Sequence, residues 1–150
     1  MIRKYQPEIV LANAIHDRHP DHGKGADLSR DACFYSGLKK IRTELNGEEQ
    51  ESWRPAHVYH FIQSQYIKPD FVMDITPYWE VKVAAIKAYK SQFHISKEGE
   101  EGDQTFISTP DFMEFIEGRA REFGKIAGAT FAEGYTVNRV PKVDDLFSLK

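Results

Sequence analysis

The sequence holds one cysteine, Cys33, in 150 residues. A single thiol excludes an internal disulfide framework and any CxxC metal or redox pair. Its setting, "DACFYSGL", reads as a helical core position and predicts a buried, unreactive thiol. Excess positive charge is lacking too. Lys and Arg number 20 against 23 acidic residues, a formal charge of −3, and the two signs are interspersed rather than sorted into a stripe. That pattern excludes the electrostatic footprint of a nucleic-acid-binding protein. No apolar run nears the ~20 residues needed to span a bilayer. The opening "MIRKYQPEIVLAN" has a short apolar run preceded by Pro-Glu, which is not the pattern of a signal peptide. The expectation is therefore a cytoplasmic protein with neither nucleic acid nor membrane among its partners. Internal repeats and low-complexity tracts are absent, and the one long polar stretch, "SKEGEEGDQ" (96–104), reads as a solvated loop.

What is present is the composition of a folded chain. Hydrophobic residues make up 41% and aromatics 13%, too apolar for disorder. The length suits a single domain, 1–150, able to bury a core. "EIVLA" (8–12) is a short continuous apolar run of the kind found in a strand buried on both faces. "HVYHFIQ", "DFVMDI" and "ATFAEGYTVNR" read as three further strands. Between them lie helical patterns. "ADLSRDACFYSGLKKI" carries Ala26, Ala32, Tyr35, Leu38 and Ile41 near a helical period. "DITPYWEVKVAAIKAYKSQF" opens with Thr76 as a cap and Pro77 in the first turn, and Thr109-Pro110 repeats that device. In the latter helix Phe112, Phe115, Ile116, Phe123 and Ile126 form an apolar face that predicts core. The terminal "VDDLFSLK" reads as a tail docking Leu146 and Phe147. Strands alternating with helices predict an α/β fold with a largely parallel sheet. Function in such folds sits in loops at the carboxyl ends of strands.

One such loop is chemically dense. "HDRHPDHGKG" (16–25) directly follows the first strand and packs three histidines and two aspartates into residues 16–22. Pro20 and the glycines predict a loop there, with the helix starting after it. Neutral imidazole is a common zinc ligand, and a carboxylate can orient an imidazole through its ring N–H. His-x-x-His spacing in a loop is a weak metal signal by itself. The same residues also read as a polar turn capping the next helix. Arg18 beside them reads as a contact for an anionic substrate or as a surface arginine. Glu133 and Gln92 read as pocket-shaping or as structural hydrogen-bonding residues. His57, His60 and His94 read as ordinary polar or half-buried side chains.

The ordered set "HPDHG", "VYHFIQSQYIKPDFVMDI", "WEVKVAAIKAYKSQF", "ISTPDFMEFIEGRAREFG", "FAEGY" and "DLFSL" resembles the LmbE-like zinc-dependent N-acetylglucosaminyl deacetylases, which include the PIG-L enzymes. Within that family it is most similar to the bacillithiol-biosynthesis deacetylases, which act on N-acetylglucosaminyl-malate. The resemblance implies a Rossmann-like α/β fold, a zinc cofactor, an amino-sugar conjugate as substrate and a homo-oligomeric assembly. It implies that His22 is a zinc ligand and that His19 stabilises the oxyanion and protonates the departing amine. Asp21 would hold His19 in its tautomer and favour its charged form. Arg18 would face the malate group.

The family also carries an "A-H-P-D-D-x-E" motif that supplies the other zinc ligands and the general base. The sequence has one His-Pro-Asp only, His19-Pro20-Asp21, which matches the later motif. The expectation is a C-terminal part of a longer protein, missing the first strands and helix of the fold, and weak or inactive alone. The alternative expectation is a non-catalytic α/β assembly module that keeps the packing and has lost the chemistry. A metal-dependent phosphoesterase using the same cluster is a third reading, with too few well-separated ligands.

Overall fold

A computed structural model describes residues 1–89, 106, 107, 109 and 111–149. Gln92, His94, Pro110 and the 96–104 loop lie outside the described residues. The elements run α1 (Ile2–Tyr5), β1 (Ile9–Ala12), α2 (Pro20–Ser36), β2 (Glu44–Leu45), β3 (Glu48–Glu49), β4 (His57–Phe61) and β5 (Phe71–Asp74). A 3-10 turn (Thr76–Tyr78), α3 (Trp79–Lys87), α4 (Asp111–Ala127), β6 (Ala132–Val137) and a second 3-10 turn (Leu146–Ser148) complete them. The class is α/β, as the alternating pattern implied. Four strands share one sheet in the order β1–β4–β6–β5. The pairing is mixed where a largely parallel sheet was expected: β1 and β4 are parallel, with Ala12 opposite His60, but β4 and β6 are antiparallel, with His60 opposite Thr136. No helix among the described residues is long and apolar enough to cross a membrane.

The chain divides into two compact units. The first comprises Met1–Phe71 and Gly134–Lys150. β1 stands at the edge of the sheet, so Ile9 and Leu11 are exposed and only Ala12 is buried. This corrects the expectation of a strand buried on both faces, because a continuous apolar run does not distinguish an edge strand from a central one. Arg3 ties the N-terminus to the end of α2. Its guanidinium donates to the Ser36 and Leu38 carbonyls and to the Thr43 hydroxyl, each at 2.9 Å. A small hairpin turns on Asn46 and Gly47, both at positive φ, an Asn-Gly signal of the type that sets two-residue hairpins. Cys33 is buried, and burial pushes its thiol pKa up. Leu146 and Phe147 are exposed rather than docked. Asp145 caps that 3-10 turn instead, accepting from the Phe147 N–H at 3.0 Å.

The second unit is Val72–Glu133. Its core gathers Ile75, Trp79, Ala120 and Phe131, with Val83 and Ile116 packed against them. Trp79 and Phe131 stack with centroids 4.3 Å apart. Asp74, not Thr76, holds the entry to α3, accepting from the Thr76 N–H at 2.8 Å, while the Thr76 hydroxyl accepts from the Phe131 N–H at 3.1 Å. On α4 the expected stripe is realised through Ile116 and Phe123, but Ile126 is exposed, since the helix ends at Ala127 beyond the core. Gly124 has a steric reason. A Cβ there would lie 2.8 Å from backbone atoms of Ala129 and Thr130, so only glycine lets the returning chain pass this close. Lys82 and Glu133 form an ion pair at 2.5 Å, which gives Glu133 a structural partner.

Candidate active site

The site is built where β1 hands over to α2, inside the first unit. β4 fixes the start of this connection. His60 is 2% exposed and its Nδ1 lies 2.8 Å from the Asn13 carbonyl, so Nδ1 carries the proton and donates. His60 is thus fully buried, not half-buried, and it anchors the backbone just before the dense loop.

Pro20 starts α2 rather than interrupting it. It occupies the first helical position, where its missing N–H costs nothing and its fixed φ is already helical. His19 before it is extended, at φ −88° and ψ 125°, as a residue preceding proline prefers. The two glycines expected to break the helix lie within it for a steric reason. A Cβ on Gly23 would stand 3.3 Å from the Ile15 carbonyl oxygen, and one on Gly25 2.8 Å from the Asn13 side-chain amide. The first turns of α2 thereby press against the loop they follow.

His19 is the N-cap of this helix. Its Nδ1 accepts from the Asp21 backbone N–H at 3.3 Å. An accepting Nδ1 has no proton, so the neutral ring carries its proton on Nε2. The Asp21 carboxylate stands 3.8 Å from the same Nδ1, outside hydrogen-bond reach, and 3.9 Å from Lys24 Nζ. It lies in the first helical turn, where a negative charge suits the helix dipole. The structure thus joins Asp21 to His19 through the backbone N–H and leaves the carboxylate nearby but unbonded to the ring.

His22 sits one turn further on, its ring centroid 5.5 Å from that of His19. Its Nδ1 is 2.6 Å from a carboxylate oxygen of Asp17. Asp17 is the residue that sequence reasoning passed over. Its side chain is 0% exposed, and its other oxygen accepts from the Gln65 backbone N–H, also at 2.6 Å. Burial by itself would raise the Asp17 pKa. The hydrogen bonds from Gln65, the His22 ring and the Arg18 backbone N–H, with the charge of His22, outweigh it and hold the carboxyl below its ordinary value. A carboxylate accepts only, so Nδ1 of His22 is the protonated nitrogen and, in the neutral ring, Nε2 keeps a lone pair. This is the carboxylate–histidine arrangement that orients metal-ligating imidazoles. The residues present therefore fit one coordination position. Among the described residues no group of three or more His, Cys, Asp or Glu side chains converges as a complete metal site. Arg18 is exposed between Asp17 and His19. His57 stacks on Tyr59 at 5.6 Å and belongs to the sheet surface.

No family model matches the chain. It is 29% identical over 139 residues to the diacetylchitobiose deacetylase of Thermococcus kodakarensis, covering 89% of this chain and 46% of that protein. The chain thus spans about half the length of this curated relative. Among solved structures, a conserved protein of Thermus thermophilus superposes with a TM-score of 0.77 at 24% identity, over 97% of this chain and 58% of that one. The 4-carboxy-2-hydroxymuconate hydratase of Pseudomonas putida gives 0.67 at 21% identity, over 97% and 57%. The N,N'-diacetylchitobiose deacetylase of Pyrococcus horikoshii gives 0.65 at 22% identity, over 91% and 47%. The chain shares its fold with a deacetylase and a hydratase alike, and in sequence it is similar to a deacetylase.

Proposed function

We propose that the protein is a metal-dependent N-deacetylase acting on an N-acetylglucosamine conjugate, with His22 as one ligand of a zinc ion. One observation carries this reading: two adjacent imidazoles are held in opposite tautomers. His22 offers a lone pair at Nε2, and His19 offers a proton at the same ring position. A polar turn serving only as a helix cap needs the first hydrogen bond of His19 and has no use for the buried Asp17–His22 pair.

When bound, a divalent cation supplies Lewis-acid polarisation of a carbonyl and makes water nucleophilic at neutral pH. His19 donates from Nε2 to the acetamide oxygen as negative charge gathers there. Once protonated, His19 gives its Nε2 proton to the amine nitrogen as the C–N bond breaks, with the Asp21 carboxylate, 3.8 Å from Nδ1, as a nearby counter-charge. An amine leaves poorly until it is protonated, which is why the site needs an acid beside the carbonyl-polarising group. Arg18, exposed next to the pair, meets an anionic aglycone. N-acetylglucosaminyl-malate, the substrate of bacillithiol biosynthesis, has that charge.

The remaining metal ligands and the general base come from polypeptide outside these 150 residues, so the chain by itself is weakly active or inactive. The open apolar edge of β1 supports this. A cytoplasmic homo-oligomer is the setting that fits the sequence.

The test is acetate release by the full-length product of the reading frame, supplied with zinc. N-acetylglucosaminyl-malate is expected to be hydrolysed with the higher kcat/KM, and diacetylchitobiose with the lower. The reverse order overturns the malate assignment. Acetate from neither substrate overturns the enzyme reading in favour of a non-catalytic assembly module.

A further inference from the structure

Asp21 stands in the recognisable motif, yet the carboxylate in contact with the metal-facing imidazole is Asp17. We infer that Asp17 is the positioning residue of the site, fixing His22 in its Nδ1–H tautomer so that Nε2 is the coordinating nitrogen; this rests on the deacetylase reading for its purpose.

Three features make Asp17 suited to this and Asp21 unsuited. The Asp17–His22 contact is 2.6 Å, whereas the Asp21 carboxylate lies 3.8 Å from the imidazole nearest to it. The Asp17 side chain is withdrawn from solvent while that of Asp21 is 74% exposed, so water does not compete for the bond to His22. Asp17 is also itself held. The Gln65 N–H, 48 residues away in sequence, binds one oxygen, and the Arg18 N–H adds a second backbone donor. A carboxylate clamped by backbone donors is a fixed reference point, and an imidazole hydrogen-bonded to it loses both its tautomeric and its rotational freedom. The arrangement also links the loop after β4 to the site, since Gln65 belongs to that loop. Asp17 touches neither substrate nor reacting atoms in this account. It acts through His22.

The tautomer is measurable without metal or substrate. Nitrogen-15 NMR of the histidine rings, recorded above the ordinary histidine titration range, should find His22 protonated at Nδ1 and bare at Nε2. In Asp17→Ala, His22 should lose that preference, and His60, held by the Asn13 carbonyl, should keep its own. A His22 that carries its proton on Nε2 in the unaltered protein overturns the inference, and so does an unchanged His22 tautomer in Asp17→Ala. Should that variant fail to fold, the unaltered protein's spectrum decides. In the full-length gene product, Asp17→Ala should also weaken zinc binding about 10–100-fold in chelator competition. Equal affinity in the two proteins counts against Asp17. Absence of zinc binding in both counts against the deacetylase reading and leaves the tautomer result to judge Asp17.

Discussion

His19→Asn is expected to lower kcat/KM of the full-length gene product for the acetylated amino sugar proposed as substrate by about 10²–10⁴-fold, with no loss of stability. The substitution separates the two jobs of this residue. As N-cap, His19 accepts from the Asp21 N–H through Nδ1, and asparagine is among the best residues for that role. The helix that begins at Pro20 should therefore form at least as well. What asparagine cannot supply is a dissociable proton beside a developing oxyanion and a departing amine. The loss corresponds to about 3–5 kcal/mol of transition-state stabilisation. A variant that melts like the unaltered protein and retains full activity would leave His19 with a capping role only. His19→Ala is less informative, because it removes the cap along with the acid.

Phe123→Ala is expected to cost about 3–5 kcal/mol of stability. Phe123 is 1% exposed and lies one residue before Gly124, where the helix and the returning chain approach closely. That proximity limits collapse into the space the ring vacates, so both the transfer loss and the cavity loss are felt. The Arg119 guanidinium lies 5.7 Å from the Phe123 ring centroid and would lose that face as well. At this chain length the melting temperature should fall by roughly 10 °C. A loss below about 1 kcal/mol would mean that the surrounding side chains repack freely.

The places where sequence and structure part company share a physical cause. Short apolar runs located β4, β5 and β6 well, because alternation and β-branched or aromatic content are local signals. They did not reveal that β1 is an edge strand, since edge or centre depends on strand order, which is a property of the whole sheet. Pro20 shows a different failure. Read as a helix breaker, it delayed α2 to residue 26, yet proline at the first helical position starts helices as readily as it breaks them elsewhere. Gly23 and Gly25 misled in the same direction, and only the approach of Ile15 and Asn13 explains them. His19 and His22 were legible as a pair, and the fold does bring them together. The motif pairs Asp21 with His19 and offers no carboxylate for His22. Asp17 was present in the same crowded stretch, but its claim rests on burial and on a bond to Gln65, neither of which adjacency in sequence reports. His60 follows the same rule: its burial depends on a carbonyl 47 residues away.

X-ray absorption or anomalous diffraction on the zinc-loaded, full-length gene product decides whether His22 holds the metal. The expected result is an imidazole nitrogen of His22, Nε2, at about 2.0–2.1 Å from the metal, with Nδ1 still on Asp17. A metal held without His22, or held through its Nδ1 with Asp17 displaced, would contradict it.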